Sequence, residues 1–99
     1  MAYSFGPIIP AATSTPLAKT YDASVSSSTS VTLNANTTAI EVTAIDKALL
    51  MKWGATASTS AFDAVIPANT SKVFSVPRGT TTVQFIEQAA SAVLVCIEF

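Results

Sequence analysis

The chain has 99 residues and a net charge of −1, with 11% charged and 49% apolar side chains. That length accommodates one domain with one core, and a charge content well under the roughly 25% of ordinary soluble domains leaves a surface poorly protected against association. The five basic residues (Lys19, Lys47, Lys52, Lys72 and Arg78) are scattered, which excludes the clustered positive charge that nucleic-acid binding requires.

Residues 1–18 read as an extended N-terminal arm. Pro7, Pro10 and Pro16 forbid a regular helix and withhold backbone donors from a central strand. Phe5, Ile8 and Ile9 are bulky and apolar among these breakers. A frayed terminus and an arm that docks those side chains on a partner both fit this pattern, although a disordered tail is expected to carry fewer such groups.

From residue 19 onward the chain reads as strands and turns. Residues 19–25 alternate as a strand, with Tyr21, Ala23 and Val25 on one side, and a serine-rich loop follows at 26–30. A short strand at 31–33 leads to Asn34-Ala35-Asn36, a turn because Asn tolerates left-handed backbone and bonds its own chain. The strand at 38–44 points Ile40 and Val42 inward and Glu41 and Thr43 outward. After a turn at Asp46-Lys47, residues 48–53 place Leu49, Met51 and Trp53 on one face and Leu50 and Lys52 on the other. Residues 44–51 also permit a turn or two of helix, but strands on both sides favour a strand there. The small-residue loop at 54–61 is expected to be mobile.

A strand at 62–66 is closed by Pro67, residues 68–71 turn, and a strand at 72–76 points Phe74 and Val76 inward. Pro77-Arg78-Gly79 suits a type I turn with Pro second and Gly fourth. The last two strands, 82–87 and 92–98, are expected to pair as an antiparallel hairpin joined around 88–91. The second of them is apolar on both faces up to Glu98. It therefore needs cover on both sides, a core on one and a neighbouring subunit or loop on the other. Leu94 and Cys96 on this strand join Phe5, Ile8 and Ile9 as candidate partner contacts. Eight strands with turn signals at short intervals predict an all-β sandwich or barrel over residues 19–99.

One internal echo accompanies this pattern. Val31, Leu33, Thr37-Thr38, Ile40 and Val42 recur as Phe74, Val76, Thr80-Thr81, Val83 and Phe85, an offset of 43 residues. After one inserted residue, Ala48-Leu49-Leu50-Met51 aligns with Ala92-Val93-Leu94-Val95. Two similar three-strand meanders would produce the same echo without duplication. Either origin implies two related halves, as two packed sheets would provide.

The residues that usually carry chemistry are sparse. There is no His, which removes the commonest general base and metal ligand, and neither a nucleophile elbow nor a phosphate-binding glycine loop is present. The six carboxylates (Asp22, Glu41, Asp46, Asp63, Glu87 and Glu98) fall at turns or at outward strand positions and read as solvated. Cys96 is alone, so no intrachain disulfide forms, and it reads as a small buried hydrophobe. Trp53 is the one tryptophan; core-edge packing is the simpler reading, a sugar platform the other. Two Asn-x-Ser/Thr triplets, at Asn36 and Asn69, read as Asn turns in the absence of a visible secretory signal. No apolar run approaches the ~20 residues of a membrane helix. The expectation is a non-enzyme without cofactor or metal.

The Pro-broken start Phe5-Gly6-Pro7-Ile8-Ile9-Pro10, the short Thr/Ser/Ala-rich strands and the run from Ile66-Pro67 to Val76-Pro77 before an apolar C-terminus carry a resemblance. In style, over its whole length, the chain resembles the small all-β structural proteins of tailed-phage virions, particularly capsid decoration (cement) proteins. The resemblance implies an antiparallel β-sandwich, jelly-roll-like, that binds the outer capsid surface and clamps neighbouring capsomers. It implies the major capsid protein or other virion proteins as partners, a homo-oligomer guessed to be a trimer, and a place on the virion after synthesis in the host cytoplasm. A carbohydrate- or receptor-binding module of a tail fibre or adhesin is the alternative.

Overall fold

The structure, a computed structural model, describes residues 16–23 and 25–99. These form eight strands: β1 (Ala18–Asp22), β2 (Thr29–Thr32), β3 (Ala39–Ile45), β4 (Leu49–Trp53), β5 (Ala64–Ile66), β6 (Thr70–Ser75), β7 (Thr82–Glu87) and β8 (Val93–Glu98). They assemble into two four-stranded antiparallel sheets, ordered β1-β8-β3-β6 and β2-β7-β4-β5. Strand periodicity explains how the sheets meet. In β3, β7 and β8 buried and half-buried residues alternate, so each strand turns one apolar row inward. Ile40, Val42, Leu94 and Cys96 from one sheet meet Leu49, Met51, Ile66, Val83 and Phe85 from the other in a single core. Burial of each large side chain there stabilises by roughly 1.5–3 kcal/mol.

The turns follow local backbone chemistry. At Asn34 the side-chain Oδ1 accepts from Asn36 N–H at 2.9 Å, and the carbonyl accepts from Thr37 N–H at 3.0 Å. Asp46 and Asn69 both have positive φ, 75° and 58°. Asp46 N–H donates to Asn69 Oδ1 at 3.0 Å, which ties the β3–β4 turn to the β5–β6 turn.

Several expectations change. The strands at Thr82–Glu87 and Val93–Glu98 do not form a hairpin: β7 lies between β2 and β4, and β8 lies between β1 and β3 in the other sheet. Their link contains no Asn-Gly or similar pair that would set a tight hairpin. It is pinned instead by Gln88 N–H to Ala48 O at 3.0 Å and Ala92 N–H to Glu87 Oε1 at 3.1 Å, and the chain passes from one sheet to the other. The turn at Pro77 closes through Thr80 N–H to Pro77 O, so Pro77 is first and Gly79 third. Gly79 has φ of 83°, the positive value that a type II turn demands at its third residue.

The first strand ends at Asp22, and Tyr21 and Val25 do not share a side: Tyr21 lies on the outward face and is 64% exposed, while Val25, past the strand's end, reaches the core at 0%. Its start also lies inside the segment expected to be arm, because Leu17 N–H already bonds Glu98 O at 2.7 Å. Finally, the loop at 54–61 is anchored: Ala57 is 1% exposed, and its N–H donates to Ser28 Oγ at 3.1 Å.

The echo at 43 residues has a geometric counterpart, though not two sheets made from two halves. The β2–β7 pairs Thr29↔Phe85, Val31↔Val83 and Thr32↔Thr82 map, by that offset, onto the β6–β3 pairs Lys72↔Val42, Phe74↔Ile40 and Ser75↔Ala39. Strands β1–β4 and β5–β8 correspond in order, and the correspondence turns one sheet's strand order into the other's reversed. Each half thus places two strands in each sheet. In β4 and β8 the equivalent residues are Leu49 with Leu94 and Met51 with Cys96, one residue away from the alignment read in the sequence, because each pair faces the core.

Candidate interaction surface

The two sheets differ in what lies on their outward faces. On the β2-β7-β4-β5 sheet, register puts Leu50, Lys52, Gln84 and Ile86 on the face away from the core. Leu50 is nevertheless only 2% exposed. The loop between β4 and β5 accounts for this: Ala57 N–H bonds Ser28 Oγ, which in turn donates to outward-facing Gln84 Oε1 at 2.7 Å. Asp63 secures the far end of the loop. Its N–H donates to Met51 O at 2.7 Å, its Oδ2 accepts from Trp53 N–H at 3.0 Å, and its Oδ1 lies 3.6 Å from Lys52 Nζ. The loop therefore lies over part of this face, where Leu50 is buried, while Lys52, Gln84 and Ile86 stay half-buried.

The outward face of the β1-β8-β3-β6 sheet has no such roof among the described residues. Its rows, read across the sheet, are Lys19–Ile97–Glu41–Val73 and Tyr21–Val95–Thr43–Ser71, with Val93 beside Ile45 at one end. Leu17 and Phe99 extend the face at the other end, where Phe99 and Ala39 exchange backbone hydrogen bonds. Along β8 every outward residue is apolar, and Tyr21, Val73 and Leu17 are 64%, 40% and 46% exposed. Lys19 and Glu41 are the two charged residues in these rows. Thr43 and Ser71 satisfy each other through a 2.6 Å hydroxyl contact. This is a nearly uncharged sheet face with its large side chains in reach of solvent.

The inward side of β8 holds the polar surprise. Glu98 shares a face with Leu94 and Cys96 and is 2% exposed, so it is not the solvated carboxylate its terminal position indicates. Its Oε1 accepts from Asn34 N–H at 2.7 Å and from Thr37 Oγ–H at 2.8 Å. The carboxylate thus clamps the β2–β3 turn onto the end of β8. The parity of Leu94, Cys96 and Glu98 was the signal in the sequence that could have revealed it. Beside it, burial and then the Glu98 carboxylate push the Cys96 thiol up to about 12, which keeps it protonated and unreactive at neutral pH.

The sequence-expected contacts divide accordingly. Leu94 and Cys96 are fully buried core residues, and the side of their strand free to meet a partner is Val93, Val95 and Ile97. Phe5, Ile8 and Ile9 lie outside the described residues. Trp53 packs against the core and meets Phe74 edge to face, with ring centroids 6.3 Å apart, so its ring is not a free platform. Among the described residues no cluster of three or more His, Cys, Asp or Glu is placed to hold a metal ion. No protein-family model, no curated protein and no solved structure matches this chain.

Proposed function

We propose that this chain is a structural virion protein, a jelly-roll module that binds the outer surface of a phage capsid and reinforces contacts between capsomers. The observation that carries the reading is the nearly uncharged outward face of the β1-β8-β3-β6 sheet, which no described loop covers, opposite a sheet whose outward face is partly covered by the chain's own β4–β5 loop. A monomer in water gains nothing from an exposed apolar sheet face, whereas a subunit held among partners buries it. The winding supports the jelly-roll part: β1 pairs with β8, β2 with β7, β3 with β6 and β4 with β5, a long double strand rolled so that successive pairs alternate between sheets. Jelly rolls serve in viral capsids and also in lectins, so the fold alone is an analogy. The capsid role rests on the face and on the sequence resemblance. Weak contacts repeated over a shell gain strength through multivalency, so no deep site is required.

The test is co-sedimentation of the purified protein with phage particles stripped of minor surface proteins. Saturable binding at a fixed ratio to the major capsid protein is the expected result. Failure to bind particles, together with retention of defined sugars on a glycan array, would replace this reading with the receptor-binding one.

A further inference from the structure

We infer that the outward face of the β1-β8-β3-β6 sheet is the docking surface for residues 1–15 of a second copy of this chain. Four observations converge on that occupant. The face exposes Tyr21 and Val73, half-buries Val93, Val95 and Ile97 between them, and carries little charge. Residues 1–18 contain no Lys, Arg, Asp or Glu and supply Phe5, Ile8 and Ile9, so they match the face in polarity and bring no charged side chain to be desolvated.

Reach is ample. Fifteen residues outside the described chain extend up to about 50 Å, whereas four strands span only about 15 Å across the sheet. The manner of docking also follows from the residues. Pro7 and Pro10 lack the N–H needed to add a strand at a sheet edge, and Lys72, on the inward-facing row of edge strand β6, discourages pairing there. Neither obstacle applies to an extended segment lying over a face. In polyproline II geometry, three residues per turn, Phe5 and Ile8 fall on one edge of such a segment.

The direction of the chain selects the neighbour. β1 is an edge strand, and the described chain enters it at the end of the sheet where Leu17 N–H bonds Glu98 O, next to Phe99. Pro16 biases residue 15 to extended backbone, and residues 7–18 contain no Gly, Asn or Asp, the residues that enter left-handed backbone most readily. An arm that continues outward meets a second molecule, whose own arm is free to do the same.

The test uses the full chain. Sedimentation velocity over a wide concentration range should show concentration-dependent association. Two variants should each weaken it at least tenfold: an arm variant, Phe5→Ser with Ile8→Ser, and a face variant, Val73→Lys with Val95→Ser, each checked by circular dichroism for retained β structure. Mixed, the two should associate again, because the arm variant keeps an intact face and the face variant an intact arm. A photo-crosslinker at position 5, in a mixture of isotopically light and heavy chains, should join light to heavy chains through the β8 or β6 region. Crosslinks within a single chain, crosslinks elsewhere on the domain, a monomer at every concentration, or a mixture that fails to recover association would each overturn the inference. None of these measurements involves particles. A chain that associates through arm and face yet ignores capsids removes the decoration reading and leaves this one standing.

Discussion

At the residue scale, Glu98 and Cys96 show how one inward row of a strand can serve both fold and polarity. Glu98 is tolerable in the core because Asn34 N–H and Thr37 Oγ–H satisfy its Oε1. Glu98→Ala removes the acceptor and leaves both donors wanting, and should cost about 1–3 kcal/mol. Glu98→Gln keeps an acceptor oxygen and should cost less, an ordering that urea midpoints would check. Cys96 sets a pH dependence. Its folded-state value is raised from the ordinary 9.0 to about 12, so the folded state holds the thiol proton more tightly than the unfolded chain. The associated stability is fully present below pH 9 and is lost as the pH climbs toward 12. The slope approaches about 1.4 kcal/mol per pH unit within that window. Cys96→Ala should be less stable at pH 7 yet lose this alkaline component, as read from denaturant unfolding at pH 7 and pH 10.5.

Among the elements, the β4–β5 loop and the Pro77 turn carry the clearest expectations. Ser28 Oγ both accepts from Ala57 N–H and donates to Gln84 Oε1, so it joins the loop to the outward face it covers. Ser28→Ala should cost about 1–2 kcal/mol, and amide exchange at Ala57 should accelerate well beyond any change in the core strands. If Ala57 exchanges no faster in that variant, the loop is held by something other than this bridge. Gly79 tests backbone conformation in isolation. A Cβ there meets nothing within 4 Å, yet φ is 83°. Gly79→Ala should therefore destabilise by about 1 kcal/mol through the left-handed backbone alone. Gly79→Asn should recover part of that loss, because Asn tolerates this region better, and the two melting temperatures would reveal the order.

For the whole molecule, the core is built from residues 25–96 and the first sheet contact is Leu17 N–H to Glu98 O. Deleting residues 1–15 should consequently change the melting temperature of the dilute protein by no more than a few degrees, measured by calorimetry. A large drop would make that segment part of the fold. The register symmetry between β1–β4 and β5–β8 gives the molecule two similar halves with dissimilar outward faces, since only the β4–β5 connection is long enough to fold back over its sheet. On the proposed reading, that difference separates a face kept from water by the chain itself from one left to partners.

Eight strands near their observed positions were legible in the sequence, because alternation and turn residues are local signals: Ile40 and Val42 in β3, Val83 and Phe85 in β7, the Asn34 turn. Strand partners were not. Adjacency along the chain favoured a β7–β8 hairpin, but closing a core required β7 and β8 to lie in opposite sheets, each between strands distant in sequence. The same limit hid Glu98, whose partners Asn34 and Thr37 come from a turn more than 60 residues away. It also hid which outward face the described residues leave uncovered, a choice set by where the loop at 54–61 lands. Composition showed a chain with few charges to spread over its surface. The rolling of paired strands into two sheets decided where the least charged part of that surface lies, because a residue's periodicity selects its side of a strand, while its neighbours across space determine whether that side is covered.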